Sequence, residues 1–166
     1  MSDPIVCLRE SVWHQWSGSP HSWILTKSPQ QQERFWKRFF AGLCAAHGFD
    51  VLRSTKNVAD NSIEGYQTAV ASSMLGRFGS YTFRLTKAQN CDILVCLGLS
   101  PLETHAWIFR KEKIPFKHLS HQHGGARGRD TWWMTVKPDN SPEWLHPQSG
   151  RLADVYRVLA GLRRRQ

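Results

Sequence analysis

The first clear pattern in the chain is an apolar stripe with helical spacing. Apolar residues recur there at steps of three and four positions: Phe35, Trp36, Phe39, Phe40 and Leu43. This spacing places them on one face of an α-helix. Ser28 is suited to be the N-cap, Pro29 the first helical residue, and Gln31 the partner in a capping box. We therefore predict a helix that begins at Pro29 and ends near Gly48.

Shorter apolar or alternating segments predict β-strands in the rest of the chain. Six segments have this character: 49–54, 66–73, 81–87, 92–99, 104–109 and 130–136. Segment 92–99 is almost continuously apolar and rich in β-branched residues, as a strand buried on both faces is. A second amphipathic helix is predicted over 151–164. The order of elements predicts an α/β fold in which helices flank a mixed central sheet.

The 166 residues are enough for one domain with a substantial core. We expect a single domain over 1–166, in which residues 1–28 form an N-terminal arm and residues 29–166 the core. No apolar run is long enough to span a bilayer. The N-terminal segment has no pattern of a secretory signal, so a cytoplasmic protein with no membrane partner is expected.

Charge and cysteine content narrow the function classes. The excess of 22 Lys and Arg over 13 Asp and Glu gives a net charge of +9, which favours a polyanionic partner such as nucleic acid. The four cysteines are scattered and include no C-x-x-C pair. A disulfide framework or a cysteine-based zinc site is therefore not predicted.

An acidic residue and the predicted strand that follows it are separated in sequence as the metal-binding residues of a metal-dependent phosphodiesterase are. Such a site needs carboxylates that converge on Mg²⁺ and usually a lysine near the attacking water. Residues i and i+2 of a strand project from the same face. In this chain Asp60 and the Glu64-Gly65 turn precede a strand that contains Ala69-Val70-Ala71.

This segment resembles the PD-(D/E)xK nuclease superfamily, and within it the type II restriction endonucleases. Members carry an Asp, a Gly-containing turn and a strand with E-x-K, and the likeness extends as a pattern of elements over roughly residues 32–160. The resemblance implies a restriction-endonuclease-like fold and hydrolysis of double-stranded DNA with Mg²⁺. It also implies a homodimer if the target is palindromic.

The resemblance places two alanines at catalytic positions. Ala69 stands where the family has its acidic residue, and Ala71 where it has its lysine. Asp60 and the missing acid at position 69 would hold the metal ion. The hypothesis is that the alanines inactivate a nuclease, so that Ala69→Glu with Ala71→Lys should restore cleavage.

Several alternatives stay open at the level of sequence. Ala69 and Ala71 are also compatible with an ordinary buried strand or a naturally degenerate nuclease. Glu64 or Gln67 could contribute to a shifted site, and Asp50 is a weaker candidate for the first carboxylate. Asp92 opens a strand and is predicted to be structural.

Two polar clusters are candidates for DNA contacts. One contains Arg84, Lys87, Gln89 and Asn90. The other lies in the Gly- and His-rich loop 117–129 and contains His121, Gln122, His123, Arg127 and Arg129. Arg can bind guanine through two hydrogen bonds and Gln can bind adenine in the same way, although a solvated basic loop would have a similar composition.

The histidines of that loop and the tryptophans have other possible roles. His118, His121 and His123 could bind a transition metal, but they lack partners in a recognised spacing. Trp36, Trp107, Trp132 and Trp133 are expected in the core.

The sequence is compatible with a type II restriction endonuclease, a repair or junction-cutting nuclease of the same superfamily, and a non-catalytic DNA-binding module that reads sequence or a modified base. An RNA-binding protein is the weakest, because the chain has no RNP-type aromatic strand and no GXXG loop.

Overall fold

The computed structural model describes residues 14–53, 60–86, 90–124 and 130–163. The helices are α1 (Pro29–Ala46) and α2 (Leu152–Arg163). The strands are β1 (Val51–Arg53), β2 (Asn61–Ile63), β3 (Tyr66–Met74), β4 (Tyr81–Leu85), β5 (Ile93–Leu99), β6 (Thr104–Arg110), β7 (Ser120–Gln122), β8 (Thr131–Val136) and β9 (Ser149–Arg151). Short 3-10 helices connect several of them.

Helix α1 begins where the sequence predicts it. The Ser28 hydroxyl accepts a hydrogen bond from the Gln31 amide at 3.3 Å, and the Gln31 side chain accepts one from the Ser28 amide at 3.0 Å. The predicted capping box is therefore present. At the other end, Gly48 has a positive φ of 74°, which a glycine adopts at low cost after a helix.

Two sheets form the centre of the molecule. The larger has the strand order β1-β2-β3-β5-β6-β9, in which β3 and β5 run parallel and the other neighbours run antiparallel. The smaller is antiparallel and has the order β4-β8-β7. The predicted mixed central sheet is thus confirmed, with mostly antiparallel pairing.

The β2–β3 hairpin has the tight turn that the Glu64-Gly65 pair predicts. Ile63 and Tyr66 are paired across it, so that two residues form the loop. Glu64 has φ 51° and Gly65 has φ 81°, the positive values that a type I′ turn requires at both central positions.

The two faces of the large sheet have different coverings. Alternate residues of β5, such as Val95 and Leu97, share one apolar cluster with side chains of α1 and α2. The residues between them, Leu94 and Cys96, share a second cluster with side chains of the three-stranded sheet. Both α-helices therefore pack on one face of the large sheet, and the three-stranded sheet packs on the other face.

The described part of the N-terminal segment packs on the helical side. Trp16 and Ile24 are fully buried in the same cluster as α1 and α2. No helix in the described ranges is both long and apolar enough to cross a membrane. Among the cysteines within those ranges, Cys44, Cys91 and Cys96 are buried free thiols, and burial raises the pKa of Cys44 to about 12.

Candidate functional site

Asp60 lies directly against strand β3, at the point where the resemblance places the catalytic strand. Its backbone amide donates to the Thr68 carbonyl at 3.0 Å. Its Oδ2 atom accepts a hydrogen bond from the Val70 amide at 2.9 Å. The carboxylate thus takes the place of a backbone carbonyl as the acceptor for the Val70 amide and is fixed against the backbone of position 70.

Helix α1 supplies a cation to this carboxylate. Lys37 Nζ lies 2.8 Å from Asp60 Oδ1 and 2.6 Å from Glu33 Oε1, one helical turn earlier. Burial lowers the pKa of Lys37, but the hydrogen bonds and charges of Asp60 and Glu33 outweigh this effect, and the net pKa is raised. The Lys37 side chain is therefore protonated and forms ion pairs with both carboxylates.

The two alanines lie on the other side of β3, towards the three-stranded sheet. Ala69 is 1% exposed and belongs to the apolar cluster between the sheets. Ala71 is partly exposed and packs against the same cluster. On the same face, the Ser73 hydroxyl accepts a hydrogen bond from the Thr82 amide at 3.0 Å and joins β3 to β4. Positions 69 and 71 therefore line the seam between the two sheets.

The donor atoms at Asp60 do not fit a bound Mg²⁺ in this arrangement. Mg²⁺ prefers oxygen ligands and is commonly held by one or two carboxylates. Here the Lys37 ammonium group lies between the two carboxylates, where a cation would have to lie. Alanine at 69 adds no oxygen ligand from its side chain. Within the described residues, Asp60 also belongs to no group of three or more potential metal ligands.

The carboxylates of the other acidic residues accept hydrogen bonds from backbone amides at other places in the sheet. Glu64 is four residues from Asp60 along β2, a distance of ~13 Å in an extended strand. Its carboxylate accepts a hydrogen bond from the Asp50 amide at 2.7 Å. Asp92 accepts one from the Gln67 amide at 2.8 Å and fixes the start of β3 to β5. Glu64 therefore lies at the turn end of the hairpin, away from Asp60, and Asp92 lies at the start of β5.

The outward face of the three-stranded sheet forms a second candidate region. Arg84 is paired with Trp133 across β4 and β8, and its guanidinium carbon lies 5.9 Å from the centre of the indole ring. The Trp133 Nε1 atom donates to the Gln122 side chain at 3.4 Å. Thr82 and Thr135 are also exposed on this face. We call these five residues the outer sheet face.

The structure brings together some of the predicted DNA-contact residues and separates others. Arg84 and Gln122, which come from different clusters in the sequence, meet on the outer sheet face through Trp133. His121 and His123 lie beside each other at the end of β7. Asn90 is exposed just before β5. The remaining predicted contacts lie outside the described residues: Lys87, Gln89, Arg127 and Arg129.

Sequence reasoning missed three residues of these regions. The sequence predicts Trp133 in the core, but it is partly exposed because β8 alternates and Trp132 takes the inward position. Glu33 and Lys37 were not singled out. In the sequence, these two residues stand out only as an acidic and a basic residue four positions apart, outside the apolar stripe of α1. Such pairs are common on solvent-exposed helix faces and do not by themselves indicate a site.

The comparisons with known proteins support the fold. No model of a known protein family and no curated protein matches the sequence. Among solved structures, the chain is similar to the bacterial homing endonuclease I-Ssp6803I, with a TM-score of 0.56 and 12% sequence identity. The match covers 84% of this chain and 99% of that one. At this identity the likeness shows the fold alone, and the fold is one that a DNA-cleaving enzyme has.

Proposed function

We propose that the protein is a double-stranded DNA-binding protein built on a Mg²⁺-dependent endonuclease framework. With alanine at positions 69 and 71, it binds duplex DNA without cutting it. The observation that carries this proposal is the position of Asp60, whose carboxylate is hydrogen-bonded to β3 at Val70. The Asp60 carboxylate is therefore already fixed against the strand that the resemblance identifies as catalytic, whereas the side chain of position 69 projects towards the three-stranded sheet.

The lost activity follows from the side chains at the site. Metal-assisted hydrolysis of a phosphodiester needs ligands for the ion and a group that positions the water. Alanine provides neither, and the Lys37 ammonium already neutralises Asp60. The same observations favour the second candidate function, a DNA-binding module that does not derive from a nuclease. In such a module, no substitution at 69 and 71 would restore cleavage. The two candidates differ in what substitution at 69 and 71 would do.

DNA binding is assigned to the outer sheet face. An antiparallel β-ribbon fits the major groove of B-DNA, where Arg and Gln side chains reach base edges. Arg84 and Gln122 are held on this face by contacts with Trp133, which reduces the conformational freedom lost on binding. The net charge of +9 adds attraction to phosphates.

A type II restriction enzyme is the finer form of the proposal. It would act as a homodimer on a palindromic target, because two-fold symmetric DNA matches two-fold symmetric protein. Selection of bound duplexes from a random-sequence pool would reveal the target. A palindromic consensus together with a dimer in analytical ultracentrifugation supports this form, and an asymmetric consensus bound by a monomer contradicts it.

The first experiment measures binding of the purified full-length protein to the selected duplex at several salt concentrations. We expect the affinity to fall steeply as salt rises, because phosphate contacts release counterions. An unrelated duplex serves as the specificity control. Binding that is absent, or equally strong at all salt concentrations, would contradict the assignment to DNA.

The second experiment restores the two expected side chains in the double variant A69E/A71K. Incubation with duplex DNA of mixed sequence should give defined fragments with Mg²⁺ and none with EDTA. The matched control A69Q/A71K lacks the restored carboxylate and should give no cleavage. Uncut DNA with a folded double variant would overturn the endonuclease framework and leave the DNA-binding module.

Glutamate at position 69 enters an apolar cluster, so folding of the double variant has to be checked by circular dichroism. The single variant A71K gives a second measurement, since position 71 is partly exposed and tolerates a long side chain. Cleavage requires bound DNA to extend from the outer sheet face to the seam between the sheets, so A71K should raise affinity at low salt. An unchanged affinity would place position 71 away from the duplex and count against the proposed framework.

A further inference from the structure

Two histidines and one aspartate converge where β7 and β8 meet. The ligand atoms of His121, His123 and Asp130 all lie within 4.8 Å of one another. We propose that these three residues form a binding site for a divalent transition-metal ion of the zinc class. The site uses different residues from those around Asp60, and it does not depend on the proposed endonuclease framework.

The distances suit tetrahedral coordination. His121 Nε2 lies 3.4 Å from Asp130 Oδ2, and His123 Nδ1 lies 3.7 Å from Asp130 Oδ1. Zinc binds imidazole nitrogen and carboxylate oxygen at about 2.0–2.2 Å, which separates neighbouring ligands of a tetrahedron by about 3.4 Å. The ion could therefore enter with only small side-chain rotations, and solvent would complete the coordination.

The backbone holds the three ligands at one end of the hairpin. His121 is paired with Trp132 across β7 and β8, so the two strands bring His121 and Asp130 close together. The Gly124 amide donates to Asp130 Oδ1 at 3.3 Å. The His121 ring also stacks on Trp132, with 4.4 Å between ring centres and 7° between planes. Packing thus restricts the orientation of one imidazole before any ion binds.

The ligand types select the class of metal. Imidazole nitrogens suit zinc, nickel and copper, whereas Mg²⁺ prefers a set made of oxygens. His123 is exposed, with 83% of its side chain accessible, so the ion can approach from solvent. His118 is not part of the group, since its ring stacks on Trp144 at 5.8 Å.

Bound metal would join the residues on either side of segment 125–129. That segment contains Arg127 and Arg129 in the sequence. Ligands from before and after it would be linked through one ion, which should stabilise the β7–β8 hairpin by mass action. The proposal therefore predicts a stability effect that can be measured without DNA.

The test is zinc titration of the full-length protein after removal of metal with a chelator and dialysis. Competition with a chromogenic zinc indicator should show one ion bound per chain. Asp130→Asn and His123→Gln should each weaken binding at least about tenfold, the scale seen even for groups that only support metal ligands. The control His118→Gln should bind as the native protein does.

A melting experiment separates a specific site from loose surface binding. Zinc should raise Tm of the native protein and of the His118→Gln control, but not of His123→Gln, whose exposed side chain is otherwise dispensable. Excess Mg²⁺ should not reduce zinc binding. Equal zinc affinity in native protein and both ligand variants would overturn the site, as would competition by Mg²⁺.

Discussion

Residues one position apart in the three-stranded sheet have opposite surroundings. Phe83 is 0% exposed and packs in the cluster between the two sheets, whereas Arg84 points outwards and lies over Trp133. The same alternation recurs in β8, where Trp132 faces inwards and Trp133 outwards. The inner face is apolar, and the outer face carries hydrogen-bonding and cationic groups.

Within this sheet, different residues are therefore responsible for stability and for the proposed recognition of DNA. The inward side chains pack the small sheet against the large one, and the outward side chains do not take part in this packing. The region around Asp60 is built differently. Its carboxylate both supports the β3 backbone and pairs with Lys37, so a substitution there would disturb structure and chemistry together.

The largest predicted effect is on the inner face. Phe83→Ala should lower the free energy of unfolding by about 3–5 kcal/mol, because it removes a fully buried ring and leaves a cavity. Arg84→Ala is the matched outward control and should change it by no more than about 0.5 kcal/mol. Urea unfolding of both variants measures this difference. Similar losses in the two variants would contradict the assignment of the faces.

The alternation of inward and outward residues could be predicted from the sequence. Which part of the molecule packs against the inward side could not. A period of two indicates a strand with one buried side and says nothing about which sheet covers it. The pattern of segments 81–87 and 130–136 therefore gives no sign that they form a sheet of their own. β7 and β9 have three residues each, too few for a periodic signal.

The candidate site could be predicted only as far as its local spacing. The hairpin turn follows from the neighbouring Glu64-Gly65 pair, and Asp60 stays a predicted ligand whose carboxylate accepts a hydrogen bond from the Val70 amide. Lys37 reaches Asp60 across a gap of 23 residues in sequence (60 minus 37). Such a contact depends on how α1 packs on the sheet, which no local pattern contains.

The second prediction concerns the contact between the inner face and the large sheet. A Cβ atom on Gly98 would lie 2.7 Å from ring carbons of Tyr81, which is itself fully buried. Gly98→Ala should therefore lower the free energy of unfolding by about 2–3 kcal/mol through overpacking. Gly42→Ala, in an open position on α1, is the control and should not destabilise the fold. If Gly98→Ala unfolds at the same urea concentration as the native protein, the two sheets are packed less closely here than the 2.7 Å approach to Tyr81 implies.

The third prediction sharpens the function of the outer face. Arg84→Ala should weaken binding to the selected duplex about tenfold, or about 1.4 kcal/mol, while the fold is retained. Arg84→Lys keeps the charge but loses the planar group that lies over Trp133, so its affinity should be intermediate. Fluorescence anisotropy at fixed salt measures both. Full affinity in Arg84→Ala would move the DNA-contact surface elsewhere.

The smallest predicted effect is a pH dependence at the edge of the inner face. His105 Nδ1 lies 2.9 Å from the Tyr81 hydroxyl, and only 12% of the His105 side chain is exposed. Burial lowers the pKa of His105, although the nearby Glu103 carboxylate acts in the opposite direction. The unfolded chain, with a histidine pKa of about 6.5, therefore binds the proton more tightly than the folded one.

It follows that the stability attributable to His105 is fully present above pH 6.5 and decreases as the pH falls towards the lower, folded-state pKa. Between pH 7.5 and pH 5.5 the native protein should lose up to about 1 kcal/mol that His105→Gln does not lose. Urea unfolding at both pH values gives the comparison, and His14→Gln, at an exposed position, should keep the native pH dependence. Parallel losses in native protein and His105→Gln would mean that this edge of the inner face stays open to water.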